Sequence, residues 1–123
     1  MFVLLIDDKR NFEGARVERT FEDGIAALQE RHWDLVLLDH DLADFSGPNG
    51  RELTGYDVAC FLEAFPENMP NDVLVVSQNS SGIPRIIAAL QQFYPDKRRW
   101  QWMNMEGPRP LWDGEVRRYR TRG

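Results

Sequence analysis

Aspartates stand directly after two apolar runs of the sequence: Asp7 and Asp8 follow the first run, and Asp39 and Asp41 follow the second. Carboxylates that share a site repel one another, so their pKa values rise or a counter-cation must be present. Oxygen ligands of this kind suit Mg²⁺, which proteins hold with one or two carboxylates together with waters and phosphate oxygens. If the two runs are neighbouring strands, the four aspartates predict a site for Mg²⁺ or Mn²⁺.

The alternative is that these aspartates only cap loops or pair with basic side chains. Arg10 follows the first acidic pair, and Arg19 lies further along the chain. This simpler role suits any single aspartate. It does not explain why acids follow two separate strand ends, so the metal site is the preferred hypothesis.

A polar stretch, SQNSSGI at residues 77–83, is a candidate for binding phosphate. Its small polar residues and its glycine lead into a predicted helix, whose free N–H groups and dipole attract anions. Ordinary helix capping is the alternative, and it would explain the same residues without a ligand. A position opposite the carboxylates favours the phosphate hypothesis, because a cation and amide groups together neutralise a phosphoryl group.

Apolar periodicity predicts the elements that must position these side chains. The predicted strands are 2–6, 15–20, 34–38 and 72–77, with 98–105 as a candidate fifth, and the predicted helices are 20–31, 56–65 and 79–94. This alternation is typical of an α/β fold with an open parallel sheet of four to five strands and helices on both faces. Ligands of such sheets bind beyond the carboxyl ends of the strands, where the strand order reverses.

Length and composition indicate a single domain over residues 1–123, with a core at 2–96 and a C-terminal extension. Hydrophobic residues make up 42% of the chain, which is enough for one buried core. Residues 1–96 contain 17 acidic and 7 basic residues, whereas residues 97–123 contain 3 acidic and 8 basic residues. The basic, aromatic extension could fold back on the acidic body or bind an anionic or protein partner.

The sequence also predicts a cytoplasmic protein without a membrane partner. No apolar run approaches the roughly 20 residues that a membrane-spanning helix needs. The N-terminal residues place aspartates after a short apolar run and no positive charge before it, unlike a signal peptide.

Three further residues are candidates for chemistry or recognition. His40 stands between the two aspartates of the second acidic pair, so it is a candidate general acid or base unless its ring points away from the ligand. Trp100 and Trp102 alternate, so both could face one way as a platform for stacking bases. Membership of the core is the simpler interpretation of the two tryptophans.

The strand ends resemble those of the receiver domains of two-component signalling. LLIDD at the first strand, LVLLDHDL at the third and VVS at the fourth carry the resemblance. It implies a flavodoxin-like fold in which Asp7, Asp8 and Asp39 bind Mg²⁺. Asp39 takes the phospho-accepting position, and Ser77 contacts the phosphoryl group. The chain departs from receivers because only residues 9–14 are available for a shortened first helix, and no residue matches the lysine that follows the fifth strand.

The sequence is more closely similar to a receiver-like family described as cyclic-phosphate-processing. LLIDDKR, RTFEDGIAAL, LLDHDL, TGYDVACFLE and VVSQNSSG carry this likeness, which covers residues 2–90. The family name implies action on the cyclic phosphates of nucleotides or RNA ends. The likeness adds candidate phosphate-binding residues, namely Arg10, Arg19, Gln78, Asn79 and Gly82.

Two other phosphoryl-transfer families share part of the pattern. The DHD at residues 39–41 fits the DxD motif of haloacid-dehalogenase-like phosphatases, but those place it on the first strand and need a longer chain. It also fits the DxD motif of Toprim domains, but those need a glutamate after the first strand, where this chain has aspartates. The receiver-like interpretation therefore explains more of the sequence.

The resulting hypothesis is a metal-dependent phosphodiesterase or phosphohydrolase that acts on a cyclic phosphate or nucleotide. Its catalytic residues would be Asp39, Asp8 and Ser77. Its metal ligands would be Asp7, Asp8 and Asp39, with Asp41 in support. The nucleophile is either a water activated by the metal or Asp39 itself. The alternative is a non-catalytic receiver-like module that binds or sequesters a nucleotide or a protein partner.

Overall fold

A computed structural model describes residues 1–102 of the chain. Within this range the backbone forms four strands and three α-helices. The strands are β1 (Val3–Ile6), β2 (Arg16–Glu18), β3 (Leu35–Leu38) and β4 (Asp72–Val75), and the helices are α1 (Phe21–Glu30), α2 (Gly55–Ala64) and α3 (Gly82–Leu90). None of the helices in this range combines the length and the apolar character that crossing a membrane requires.

The four strands form one parallel sheet in the order β2-β1-β3-β4. β1 and β3 are adjacent, with Leu4 opposite Val36 and Ile6 opposite Leu38, so the two apolar runs are neighbours as the metal hypothesis requires. The chain runs from β1 to β2 on one side and from β3 to β4 on the other, so the strand order reverses between β1 and β3. The predicted receiver-like α/β fold is confirmed.

One face of the sheet packs against all three helices. Side chains alternate between the two faces along each strand. The strand residues of this face are Leu4, Ile6, Val36, Leu38, Val73 and Val75, and they form one buried cluster with Ala27, Leu28, Val58, Ala59, Leu62, Ile83, Ile86, Ala89 and Leu90 of the helices. The connections through α1 and α2 cross the sheet in the same direction, and right-handed crossovers therefore place both helices on the same face.

The opposite face is covered without a helix in the described part of the chain. The connection from β1 to β2 runs in the reverse direction, so it passes over this face. It consists of residues 7–15, which form turns instead of the shortened helix that the sequence predicts. Phe12 of this connection and Trp102 are buried there against Leu5 and Leu37. Helices on both faces were expected, but the described helices cover one face, because this connection is too short to hold a helix between its turns.

The candidate fifth strand is reduced to a single bridge among the described residues. Gln101 pairs in parallel with Val75. The N–H of Val75 donates to the carbonyl of Trp100, and the N–H of Trp102 donates to the carbonyl of Val75, both at 2.7 Å. Residues 103–105 of that prediction, and the remainder of the extension, lie outside the described residues.

The first residues of the C-terminal extension fold back on the body of the protein. Lys97 forms an ion pair with Asp72 at the start of β4. Trp100 packs on the helical side of the sheet beside Tyr94, with ring centroids 5.8 Å apart, whereas Trp102 is buried on the opposite face. The two tryptophans therefore do not form a common stacking platform, because the sheet lies between the clusters that they join.

The loop between β3 and α2 is anchored by a buried aspartate. Asp44 accepts hydrogen bonds from the N–H and the hydroxyl of Ser46, at 3.0 and 2.6 Å, and from the N–H of Phe21 at the start of α1, at 2.9 Å. These hydrogen bonds, those of Ser46 above all, hold the pKa of Asp44 below its ordinary value. An isolated antiparallel bridge between Asp44 and Leu53 closes the loop at its base.

Candidate functional site

Three carboxylates meet beyond the carboxyl ends of β1 and β3. Asp7, Asp8 and Asp39 each offer an oxygen atom within 4.8 Å of the others, a spacing at which one cation could contact all three. Asp7 is fully buried and Asp39 is only 4% exposed, whereas Asp8 is half-buried. The adjacent, in-register pairing of the two strands brings the predicted acids together, because each strand ends at the same edge of the sheet.

Asp7 is held by the backbone that follows it. Its Oδ1 accepts hydrogen bonds from the N–H groups of Lys9 and Arg10, each at 2.8 Å. Its Oδ2 accepts a hydrogen bond from the Arg10 guanidinium at 3.0 Å. Buried carboxylates need partners of this kind, and here the short connection after β1 provides them. Asp7 is therefore fixed in place by the same turn that orders Arg10.

Asp39 carries a carboxyl group whose ionisation is disfavoured. Burial raises its pKa, and the negative charge of Asp7 raises it further, to about 7. Arg10, with Nη1 3.7 Å from Asp39 Oδ2, and hydrogen bonds from the Ser77 side chain and the Asp41 backbone act in the opposite sense. They do not offset the burial and the repulsion. The cluster thus holds more negative charge than the nearby cation neutralises.

Arg10 and Arg19 have different positions although both were candidates for binding phosphate. Arg10 reaches two carboxylates of the cluster, Asp7 and Asp39. The guanidinium of Arg19 instead contacts oxygen atoms of the connection after β1. Its Nη1 donates to the carbonyls of Asp7, at 3.1 Å, and Arg10, at 2.5 Å, and its Nη2 donates to Asn11 Oδ1 at 2.7 Å. Arg19 braces the turn that carries the acidic pair.

Replacing Arg19 by Lys is expected to lower the free energy of unfolding by about 1–2 kcal/mol, because an ammonium group cannot reproduce the fork of the guanidinium across three oxygen atoms. Urea unfolding measures the change. Arg51→Lys is the matched control, because the exposed Arg51 side chain pairs with Asp57, and this substitution should cost less than about 0.5 kcal/mol. Equal stability of the two variants would contradict the bracing role.

Asp41 lies outside the carboxylate cluster and forms a second group with His40 and Asn79. Among the described residues, the set of mutually close carboxylates does not include Asp41. Its Oδ1 accepts hydrogen bonds from His40 Nδ1 at 2.8 Å and from Asn79 Nδ2 at 3.1 Å. Partial burial raises the pKa of Asp41, but these hydrogen bonds outweigh it, so the pKa lies below its ordinary value. The group ties the segment after β3 to the segment after β4.

His40 is a structural residue in this arrangement. A carboxylate can only accept, so the contact with Asp41 assigns the proton to Nδ1 of the ring. Nε2 is buried and has no hydrogen-bond partner in residues 1–102. The ring packs on Gly82 so closely that an added Cβ there would lie 2.8 Å from Nδ1 and nearer still to the ring carbons. A buried Nε2 does not suit the candidate role of general acid or base, because a substrate could not reach it.

The start of α3 is capped by the protein itself. Asn79 Oδ1 accepts hydrogen bonds from the N–H groups of Ser81 at 3.0 Å and Gly82 at 2.8 Å, and the Asn79 carbonyl accepts from the N–H of Ile83 at 3.1 Å. These amides were candidates for a phosphate cradle. The geometry instead fits the capping alternative, because side-chain and backbone oxygens of Asn79 already satisfy them.

Ser77 connects this capped segment to the carboxylate cluster. Its side chain is buried, lowers the pKa of the neighbouring Asp39 carboxyl group, and accepts a hydrogen bond from the N–H of Asn79 at 3.0 Å. Gln78, the next residue, is exposed.

The structure divides the predicted site residues into three sets. Asp7, Asp8 and Asp39 form the carboxylate cluster, with Arg10 and Ser77 beside it. Asp41, Asn79 and Gly82 contact His40, and these four residues are called the latch below. Arg19 braces the connection after β1, and Gln78 belongs to neither group.

Gly55 is a residue of the site that sequence reasoning missed. It begins α2, and its N–H donates to the His40 carbonyl at 2.8 Å. A Cβ at this position would lie 2.9 Å from the carbonyl carbon of Asp39 and closer to its oxygen. The signal in the sequence was a glycine directly after the capping residue Thr54. It could not indicate which backbone the glycine approaches, because that contact is set by the packing of α2.

A family model with the description "Cyclic-phosphate processing Receiver domain" matches residues 2–92. The comparisons with curated proteins and with solved structures gave no match. The matched range contains every residue of the carboxylate cluster and of the latch.

Proposed function

The chain belongs to the family of cyclic-phosphate processing receiver domains, and from this premise we propose that it is a divalent-metal-dependent enzyme that opens a cyclic phosphate of a nucleotide or an RNA end. The observation that carries the proposal is the buried cluster of Asp7, Asp8 and Asp39 at the strand-order reversal. The expected cofactor is Mg²⁺ or Mn²⁺, because the donor set consists of carboxylate oxygens.

The residues present fit such a cation. Asp39 has a pKa of about 7 because it is buried beside another carboxylate, and a divalent ion would remove that repulsion. Asp7 keeps its position through backbone hydrogen bonds that do not depend on a ligand. A bound Mg²⁺ would supply Lewis-acid stabilisation of the charge on the phosphoryl oxygens.

The side chains of the cluster can be assigned roles in hydrolysis. A water oxygen bonds to phosphorus, one phosphorus–oxygen bond of the ring breaks, and the proton of the water passes to the departing sugar oxygen. The Ser77 hydroxyl, next to Asp39, would hold a phosphoryl oxygen, and Arg10 would balance its charge. If Asp39 attacks instead, its carboxylate oxygen bonds to phosphorus while one phosphorus–oxygen bond of the ring breaks and the departing sugar oxygen takes a proton from water. A second water then cleaves the acyl phosphate and restores the Asp39 carboxylate.

The test incubates the protein with Mg²⁺ and a panel of cyclic nucleotides and RNAs with 2′,3′-cyclic phosphate ends. We expect cleavage of at least one member, and loss of cleavage and of Mg²⁺ binding in Asp8→Asn. Asp8 is the sharpest choice because it is half-buried and lies in the cluster, so its replacement should leave the fold intact. Asp96→Asn, at an exposed position, is the matched control.

The outcomes separate the enzyme from the alternative module. Mg²⁺-dependent cleavage that fails only in Asp8→Asn supports the proposal. Tight binding of a panel member without cleavage would replace the enzyme by a module that sequesters a nucleotide or an RNA end. Failure of the wild type to bind Mg²⁺ would overturn the proposal in both forms.

A further inference from the structure

A cavity is lined in part by Ser77, the residue that lies beside Asp39 of the carboxylate cluster. It has a volume of about 430 Å³ and is lined by Ser77, Gln78, Ser80, Ile83, Pro84 and Gln101. We propose that this cavity binds the nucleoside that carries the cyclic phosphate, so that base and ribose lie here while the phosphate lies at the carboxylates. The inference rests on the proposed function and adds to it a second subsite, which would bind the nucleoside part of the substrate.

The position of the cavity follows from the bonding of a cyclic phosphate. In a 2′,3′-cyclic phosphate both bridging oxygens belong to the ribose, so the sugar begins one bond from the phosphoryl group. A phosphoryl group between Asp39 and Ser77 therefore requires space for the sugar and the base directly beside it. Leu38 pairs with Val75, and the N–H of Val76 donates to the Leu38 carbonyl, so Ser77 and Asp39 follow neighbouring strands at the same edge of the sheet. Ser77 also lines the cavity, so it belongs to both subsites.

The lining favours a neutral, flat group over a second anion. None of the six lining side chains is charged. Gln78 and Gln101 each provide a carboxamide that donates and accepts, as the edge of a base requires. Ile83 and Pro84 offer apolar surface against which a ring can pack. A nucleoside has this mixture of polar edge and apolar face, whereas a polyphosphate would need basic side chains.

A larger cavity elsewhere does not suit the same role. Its volume is about 580 Å³, and its lining includes the charged residues Asp72, Asp96, Lys97, Arg98 and Arg99. Asp72 begins β4, whereas Ser77 follows the other end of that strand, roughly 16 Å away at the rise of an extended chain. A phosphate at the carboxylates could not place its own nucleoside there.

Filling the cavity tests the inference. Ser80 is exposed on the turn before α3, so Ser80→Trp should fold while it occupies the cavity. We expect the Kd of a 2′,3′-cyclic mononucleotide, measured by calorimetry with Mg²⁺ present, to rise about tenfold or more. The affinity for Mg²⁺ alone should stay at the wild-type value, because Ser80 is not part of the carboxylate cluster.

A second variant tests the hydrogen bond to the edge of the base without adding bulk to the cavity. Gln101→Ala should raise the Kd of the 2′,3′-cyclic mononucleotide about fivefold, which corresponds to the loss of one hydrogen bond. It should also reduce the difference in Kd among the four bases. Gln91→Ala, at an exposed position after α3, is the matched control and should change neither quantity.

Ethylene phosphate, a cyclic phosphate without a nucleoside, separates failure of the inference from failure of the proposed function. If Ser80→Trp weakens the mononucleotide but not ethylene phosphate, the subsite is supported. If it weakens neither, the inference is overturned while the phosphate site stands. If the wild type binds neither probe with Mg²⁺, the proposed function fails and the inference with it. The Kd values of wild type for the mononucleotide and for a short RNA with a cyclic end show which of the two sources of the terminal nucleoside is bound more tightly. Ser80→Trp should weaken both, because both end in the same nucleoside.

Discussion

Asp39→Asn is expected to stabilise the metal-free protein at a pH above 7 and to abolish its stabilisation by Mg²⁺. Both effects follow from the position of Asp39 beside Asp7 in a buried cluster. Ionisation of Asp39 is disfavoured in the folded state, so the native protein carries an unfavourable charge at that pH. The amide of Asn removes the charge and keeps the shape. It also removes one of the three carboxylates.

The dependence of folding stability on pH follows from the linkage between protonation of Asp39 and folding. The folded pKa of Asp39 is about 7, above the ordinary value of 3.8 that applies to the unfolded chain. Between these two values the folded state binds more protons than the unfolded state, so stability falls as the pH rises through this window. The folded pKa already includes the attraction to Arg10, and its distance from the ordinary value corresponds to a gain of at most about 4 kcal/mol for Asp39→Asn above the window.

Chemical denaturation at several pH values, with chelator and with Mg²⁺, measures both effects. The variant should lose the pH dependence between the two pKa values, and its unfolding midpoint should not respond to Mg²⁺. Asp23→Asn, at an exposed position of α1, serves as the control and should behave as wild type toward Mg²⁺. A variant that is less stable than wild type in chelator, or that gains stability from Mg²⁺, would contradict the account of the cluster.

Gly55→Ala is the second change with a large expected effect, a loss of about 3 kcal/mol or more in the free energy of unfolding. The added Cβ would lie 2.9 Å from the carbonyl carbon of Asp39 and 3.1 Å from the Cα of His40. Both are backbone atoms, so no side-chain rotation relieves the contact. The start of α2 must move away, and the backbone that carries Asp39 loses the hydrogen bond from the Gly55 N–H to the His40 carbonyl.

Gly24→Ala provides the comparison for this prediction. A Cβ at Gly24 would meet the side chain of Ile6, at 3.0 and 3.1 Å, and that side chain can adjust by a few tenths of an ångström. Alanine also favours the helix by about 1 kcal/mol relative to glycine. This gain should nearly cancel the cost of the contact with Ile6. Thermal or urea unfolding of the two variants gives the test. Similar losses of stability at Gly24 and Gly55 would rule out backbone contact as the cause.

The parts of the fold that could be predicted are those that depend on local pattern. Short apolar runs ending in acids predicted β1 and β3, and parallel pairing brought Asp7 and Asp39 to one edge whatever the details of the loops. The predicted helix 20–31 agrees with α1, which Thr20 caps by accepting a hydrogen bond from the N–H of Asp23 at 3.1 Å. Such features are set within a few residues, so the sequence alone suffices for them.

The parts that could not be predicted depend on the direction of side chains after a strand ends. Beyond β3 the chain no longer alternates, so Asp41 turns to His40 and Asn79 instead of joining Asp39. Likewise, the polar stretch was recognisable as a possible capping pattern. The sequence could not reveal that the Asn79 side chain itself accepts the hydrogen bonds of the N–H groups at the start of α3. Tertiary contacts decide both cases.

The guanidinium of Arg10 has a consequence for how ligands would enter. It stands 3.0 Å from Asp7 and 3.7 Å from Asp39, so a divalent ion would arrive at carboxylates that already share a positive partner. Binding of the proposed ion would then be an exchange, and its affinity would include the free energy needed to displace the guanidinium. A phosphate that accepts the displaced Arg10 would recover part of that work. Metal and phosphate would each strengthen the binding of the other by the same factor, as reciprocity between linked sites requires.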